Sequence, residues 1–254
     1  MSSRPVTTTR TATITTSRSR LQKKEGTLRA LVPSILVVAA ILALAPISSA
    51  FAAALSGTNG DDTLRGTNNS DTIYGYNGND KIYGYAGNDQ LFGGRGDDLV
   101  KGDDGDDYVD GGQGGNTLYG GEGNDYIYTT APLYPTSFPM NVIHGNTGND
   151  YIETHGQNAI IYGEKGADNI IALGGDDEVV EKTVYAGSGN DGVHVNGNSV
   201  AYGGDGNDHL KGEGNASLRG EDGDDTLEVV GSVDHVYLTG GLGADHFDCG
   251  DSPD

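Results

Sequence analysis

Between residues 57 and 128 apolar and polar positions recur on a fixed period of nine. The stretch divides without remainder into eight units: GTNGDDTLR, GTNNSDTIY, GYNGNDKIY, GYAGNDQLF, GGRGDDLVK, GDDGDDYVD, GGQGGNTLY and GGEGNDYIY. The eighth residue is always aliphatic (Leu64, Ile73, Ile82, Leu91, Val100, Val109, Leu118 and Ile127), within a closing triplet that is polar–aliphatic–polar in outline. That triplet predicts a minimal strand with one side chain pointing inward. A glycine opens every unit and another stands fourth in seven of the eight. Glycines at the first, second and fourth places allow positive φ and close backbone approach, so the first six residues read as a tight turn. A period this regular governs the reading of every residue within it.

One unit alone can bury nothing. Two units make a flattened coil of 18 residues, and coils stacked about 4.8 Å apart give two parallel sheets with a thin aliphatic core between them. Asp stands sixth in seven units, at Asp62, Asp71, Asp80, Asp89, Asp98, Asp107 and Asp125. Residues 18 apart then face each other on successive turns: Asp62 over Asp80, Asp71 over Asp89, Asp80 over Asp98, Asp89 over Asp107, and Asp107 over Asp125. Bare carboxylates at that spacing repel by roughly 1 kcal/mol per pair even in a water-like dielectric. A hard divalent cation removes the repulsion. Carboxylates from two turns, with turn carbonyls, supply the roughly six to eight oxygens that calcium takes, whereas magnesium wants a smaller, stricter octahedron.

Residues 129–140, TTAPLYPTSFPM, interrupt the period, and Pro132, Pro135 and Pro139 forbid ladder strands there. Asp125 to Asp150 spans 25 residues, one coil plus seven, which predicts a surface loop that rejoins the stack in register. Tyr134 and Phe138 make it a candidate contact site. Beyond the loop each coil keeps one good turn, with Asp150, Asp168, Asp191, Asp208, Asp225 and Asp245 at intervals of 18, 23, 17, 17 and 20. The opposite turns (HGQN, NGN, GEGN, VGSVD) lack the acidic residue, with Asp177 a partial exception. The second half is therefore expected to bind cations on one edge only. Asn and Gly turns would close the other edge, with residues 178–183 and 229–234 bulging from it.

The eight tandem units match GGxGxDxUx, and the chain resembles the RTX (repeats-in-toxin) family of hemolysin-type calcium-binding repeat proteins. The resemblance implies an all-β parallel β-roll, a two-sheet solenoid. It implies that the thirteen sixth-position aspartates named above hold several Ca2+ ions. It also implies calcium as a folding cofactor: an unfolded chain has no preformed site, so binding energy becomes folding energy. Affinities of about 0.1–1 mM, those of extracellular modules, would leave the chain loose in a calcium-poor cytosol and set it outside the cell.

Composition narrows the partners. The 254 residues include 43 Gly, 37 acidic and 15 basic residues and no Trp. Seven of the basic residues (Arg4, Arg10, Arg18, Arg20, Lys23, Lys24, Arg29) precede the first apolar run; after residue 50, 8 basic face 36 acidic residues, a net charge of −28. That excludes nucleic acid as a partner and suits a chain that stays disordered until cations arrive. Residues 31–45, LVPSILVVAAILALA, follow the basic region, and ISSAFAAAL offers cleavage after Ala50, Ala52 or Ala54, the pattern of a secretory signal peptide. The apolar run of about 15 residues is short for a spanning helix; an uncleaved anchor is the alternative. No Arg-Arg pair suggests twin-arginine export. Many RTX proteins leave by a C-terminal signal instead, and the N-terminal one here departs from that pattern. The expected divisions are 1–54 (signal or anchor), 55–128 (regular roll), 129–140 (loop) and 141–254 (degenerate roll).

Other candidates are thin. His144, His155, His194, His209, His235 and His246 are scattered, and no HExxH is present. They read as solvated edge residues. Ser188, in AGSGND, has calcium-turn glycine spacing, not that of a nucleophile elbow. Tyr74, Tyr83, Tyr119, Tyr128, Tyr162, Tyr185, Tyr202 and Tyr237 recur at the outer strand position, as cross-strand packing requires; a strip stacking on sugars is the alternative. Asn68 and Asn215 open N-glycosylation sequons. Cys249 is the single cysteine, so an intramolecular disulfide is impossible. The expectation is a secreted, calcium-loaded roll with no enzyme of its own, structural or adhesive, whose further partner is a cell-surface glycan or a protein. The rival is an accessory module of an extracellular enzyme with its catalytic domain on another chain.

Overall fold

A computed structural model describes residues 52–130, 140–174, 181–231 and 236–249. Residues 1–51 of the expected leader, 131–139 of the loop with Tyr134 and Phe138, Asp177, His235 and the residues after Cys249 lie outside these; Ala54, the last residue of the expected leader, opens the first strand. By contacts the chain divides into Met1–Ala45 and Pro46–Asp254, and all described residues belong to the second unit.

The first four strands set the rule. β1 (Ala54–Ser56) pairs in parallel with β3 (Thr72–Asn77), and β2 (Thr63–Arg65) with β4 (Lys81–Ala86). Successive strands alternate in this way between two parallel sheets as far as His246–Asp248; among the described residues the first sheet has eleven strands and the second ten. This is the all-β two-sheet roll that the nine-residue period demands. Coil follows coil at 18 residues, as in Thr72↔Gln90 and Lys81↔Leu99. One file of aliphatic side chains per sheet fills the interior, from Ile73 to Leu227 in the first and from Ile82 to Leu218 in the second. Each contributes about 1.5–3 kcal/mol when fully buried. With about one such residue per strand, stability must accumulate coil by coil.

Two details differ from the sequence reading. Most strands of the regular half are six residues long, because each runs on through the first three places of the following unit, leaving a turn of three residues such as 78–80. The first-place glycine is therefore an inward-facing strand residue: Gly75 is buried and does not have positive φ. Positive φ falls at the fourth place, as at Gly78 (117°), and at the second, where Tyr76 (77°), Tyr85 (83°), Asp103 (75°), Asn146 (78°), Glu164 (78°) and Glu221 (80°) adopt it without being glycine.

The loop at 129–140 does not disturb the stack. Thr117↔Val142 and Tyr126↔Tyr151 keep register across it, both 25 residues apart. The degenerate half continues the same two sheets. Lys182 and Thr183 begin the strand Lys182–Ser188, and Val229 and Val230 end the strand Thr226–Val230, so these four are ladder residues and not part of a bulge. The three longer connections, after Thr129, Leu173 and Val230, all run from the first sheet to the second.

Candidate metal ladders

The turns fall on two edges of unequal composition. Every turn that enters the first sheet presents an aspartate: Asp71, Asp89, Asp107, Asp125, Asp150, Asp168, Asp191, Asp208, Asp225 and Asp245 form one unbroken file. Each main-chain N–H in that file donates to the Oδ1 of the next aspartate, from Asp71 to Asp89 (2.7 Å) through Asp107 to Asp125 (2.8 Å) to Asp225 to Asp245 (3.2 Å). We call this the aspartate edge. The turns that enter the second sheet begin alike, with Asp62 donating to Asp80 (2.8 Å), Asp80 to Asp98 (2.8 Å), Asp98 to Asn116 (3.0 Å) and Asn116 to Asn141 (2.8 Å). The same column then carries Ala159, Lys182, Ser199 and Ala216. This mixed edge holds carboxylates only in its first coils. All thirteen predicted aspartates thus stand in register, ten on one edge and three on the other.

The second carboxylate oxygen explains the first-place glycine. A Cβ on Gly57 would lie 2.8 Å from Asp62 Oδ2 and 2.6 Å from the Gly75 carbonyl, and one on Gly93 would lie 2.6 Å from Asp98 Oδ2 and 2.7 Å from the Gly111 carbonyl. Gly102 stands in the same relation to Asp107 and Gly120, and Gly220 to Asp225 and Gly240. Each absent methyl leaves a cradle into which a carboxylate oxygen and the next coil's carbonyl converge; in the first two turns Thr58 and Thr67 donate to that oxygen of Asp62 and Asp71, and from Asp80 to Asp225 no donor meets it. In ten turns this Oδ2 is buried and accepts no hydrogen bond: Asp80, Asp89, Asp98, Asp107, Asp125, Asp150, Asp168, Asp191, Asp208 and Asp225. A buried, unsatisfied carboxylate oxygen is costly, and a file of ten of one kind calls for a specific partner such as an ion.

Electrostatics agree with the geometry. Burial pushes the carboxyls of Asp89, Asp98, Asp150, Asp168, Asp191 and Asp208 up to about 6, and those of Asp107 and Asp125 up to about 7, with neighbouring carboxylates adding to the shift in most turns. A cation among these oxygens would reverse that direction. The donor set suits a hard ion: oxygen only, anionic in part, carbonyl in part. Among the described residues no three His, Cys, Asp or Glu converge on one point. Main-chain carbonyls would therefore have to supply much of any coordination shell, as the Gly75 and Gly111 carbonyls are placed to do.

Two turns depart from the pattern. At Asn116 the amide Nδ2 replaces the free oxygen and donates to the Gly112 carbonyl (3.4 Å), which closes the turn without an ion. Before Asp191 the first place is Ala186, fully buried, whose methyl occupies the side-chain position that the other turns leave empty.

Sequence reasoning missed Lys182. It is 1 % exposed, its Nζ has no hydrogen-bond partner, and burial lowers its amine to about 7. Aligning TVY (183–185) with TLY (117–119) would have placed it in the Asp62–Asn116 column. The histidines are better held than expected: His144 meets Glu164 at 2.8 Å, His155 meets Glu153 at 2.6 Å, His194 meets Glu213 at 3.1 Å and His209 meets Glu228 at 3.3 Å. All four pairs lie along strand faces. Cys249 is exposed.

The outer tyrosines pack against each other across strands. Tyr119, His144, Tyr162, Tyr185 and Tyr202 stack at centroid distances of 4.8–5.2 Å within 13° of parallel, with Lys101 over Tyr119 and Arg219 over Tyr202. Tyr74 stacks on Phe92, and Tyr108 on Tyr126 and so on to Tyr151. Within these ladders ring faces cover ring faces, and edges are what solvent meets.

Comparison with known families finds the RTX calcium-binding nonapeptide repeat (4 copies) at residues 56–91, 83–118, 102–131, 141–170, 156–180, 196–216 and 212–238, more than half of the chain. No curated protein matches it.

Proposed function

The chain belongs to the RTX calcium-binding nonapeptide repeat family and is a calcium-binding β-roll; from that premise we propose that it is exported, sets into its fold on meeting extracellular calcium, and serves outside the cell as a structural or adhesive element with no catalysis of its own. The observation that carries this reading is the set of buried carboxylate oxygens without a donor, nine of which (all but that of Asp191) share a glycine cradle with a main-chain carbonyl of the neighbouring coil. A chain with a net charge of −28 after residue 50 cannot bring those groups together unaided. Calcium supplies the missing positive charge there. The aspartate edge carries most of the ions, Asp62, Asp80 and Asp98 carry the rest, and the turns of Asn116 and Ala186 carry none. The leader-like segment before residue 55 supports export, and the long rigid stack supports a spacer or adhesive role.

The test is calcium-titrated circular dichroism of the apo protein, with mass spectrometry of the mature N-terminus. The reading expects a large gain of β signal below about 1 mM calcium, the range of extracellular modules, and a first residue near 51–55. An apo spectrum unchanged at about 10 mM calcium, far above that range, would reject it.

A further inference from the structure

Tyr76 sits at a place that the two following coils fill with Gly94 and Gly112. Its φ of 77° belongs to the left-handed region, which disfavours an L side chain by roughly 1–2 kcal/mol and is a genuine outlier for a bulky residue. The stack imposes this backbone at the second place of the unit, as at Gly94 and Gly112, so a tyrosine here bears a cost that glycine would avoid. Tyr85, the other tyrosine in this conformation, is held by Arg65, whose Nη1 donates to its hydroxyl at 3.2 Å, and the next residue along its column is Asp103. Tyr76 is different. Among the described residues its ring contact is with Tyr74, at 6.0 Å and 15°, and the residue remains 51 % exposed.

The orientation of that ring follows from its neighbours. Tyr74 stacks on Phe92, one coil further on, at 4.8 Å and 8°. Tyr76, nearly parallel to Tyr74, therefore turns one face along the stacking axis, toward the place where a ring on residue 94 would stack. Residue 94 is glycine, so that face stays open. Below it lies a groove of about 430 Å³ floored by Gly94 and Gly112 and flanked by Phe92 and Asp110 on one side and Arg95 and Gln113 on the other. That volume falls in the usual range of small-molecule sites, roughly 300–1,000 Å³.

We propose that this groove is a glycan-binding subsite in which one neutral pyranose ring takes the missing rung over Gly94. Its apolar C–H face lies against Tyr76. The ring hydroxyls meet a guanidinium, an amide and a carboxylate, which together donate and accept as vicinal hydroxyls require. Among the described residues Arg95 is the only cation lining the groove, on a strongly acidic molecule, so neutral glycans are favoured and polyuronates are repelled. The inference deepens the adhesive part of the proposed function and needs only the folded roll.

The experiment is isothermal titration of the full chain in calcium with neutral hexasaccharides (gluco-, galacto- and manno-configured) and a hexagalacturonate, on the native protein and on Tyr76→Gly. Glycine is the resident of this place in the next two coils, so the variant keeps its calcium-dependent circular dichroism. Binding of at least one neutral hexasaccharide, weakened tenfold or more by Tyr76→Gly and several-fold by Gln113→Ala, supports the subsite. No neutral ligand bound, hexagalacturonate bound more tightly, or Tyr76→Gly binding as well as the native chain overturns it. Neutral binding by a roll whose spectrum ignores calcium would sink the calcium reading and leave this one standing.

Discussion

Consider the roll stripped of calcium and titrated with acid. Burial raises the carboxyls of Asp89, Asp98, Asp150, Asp168, Asp191 and Asp208 from 3.8 to about 6, and those of Asp107 and Asp125 to about 7. A carboxyl whose folded value lies above its unfolded value favours the folded state while it is protonated, and that advantage is lost as pH rises through the folded value. At about 1.4 kcal/mol per unit, each group disfavours the ion-free fold at pH 7.5 by about 3 kcal/mol or more. A few such groups outweigh the about 5–15 kcal/mol of net stability that domains possess. The ion-free chain should therefore be unfolded at pH 7.5 and regain β structure as pH falls through about 7 to 5, whereas the calcium form stays folded at pH 7.5. Below about pH 6 protons compete for the same oxygens, so the calcium midpoint should climb. Far-ultraviolet circular dichroism in chelator between pH 4 and 8, with calcium titrations at pH 5.5 and 7.5, measures both effects. An ion-free protein as well folded at pH 7.5 as at pH 5 would falsify the reasoning, because the carboxylates would then be satisfied by something other than a metal.

Three substitutions and one control test the same interior from other directions. Asp107→Asn should bind about one calcium fewer by isothermal titration yet fold more readily without calcium, since Asn116 shows how an amide closes this turn on a carbonyl. Gly102→Ala places a methyl on Asp107 Oδ2 and the Gly120 carbonyl and should cost about 2 kcal/mol or more in thermal denaturation with calcium, the scale of overpacking; Gly60→Ala, with nothing within 4 Å, should be near neutral. Lys182→Met replaces a buried amine lowered from 10.5 to about 7, which should stabilise the roll by up to about 4 kcal/mol at pH 7 and by little above pH 10, checked by denaturation at the two pH values.

The roll was legible in the sequence because one constraint repeats. Ile73, Leu91 and Val109 stand at the same place of their units, and a two-residue alternation then leaves one choice of inward face. The register of the thirteen aspartates followed from counting. Less was legible where a residue's role depends on its neighbours one coil away. Gly75 and Gly93 look like turn glycines in a single unit, but each is small because a carboxylate and the next coil's carbonyl need the space of its Cβ. Lys182 was hidden by the longer connection before it, which broke the count that would have aligned it with Asn116. Tyr76 and Glu221 were unreadable for another reason: local preference assigns left-handed backbone to glycine, and only the finished stack forces it on other residues.

The file of aspartates also has a direction. In every turn the main-chain N–H of one aspartate reaches forward to the carboxylate of its successor, as from Asp89 to Asp107 and from Asp107 to Asp125. The next residue answers in the other sense, Tyr108 N–H to the Asp89 carbonyl (2.9 Å) and Tyr126 N–H to the Asp107 carbonyl (2.8 Å), so each pair of coils is clasped by two opposed bonds at the turn. A coil added at either end therefore gains both bonds at once, and detachment of an end coil leaves its neighbour short of one donor and one acceptor. A stack built this way should fray from its ends inward, coil by coil, and not melt from its middle.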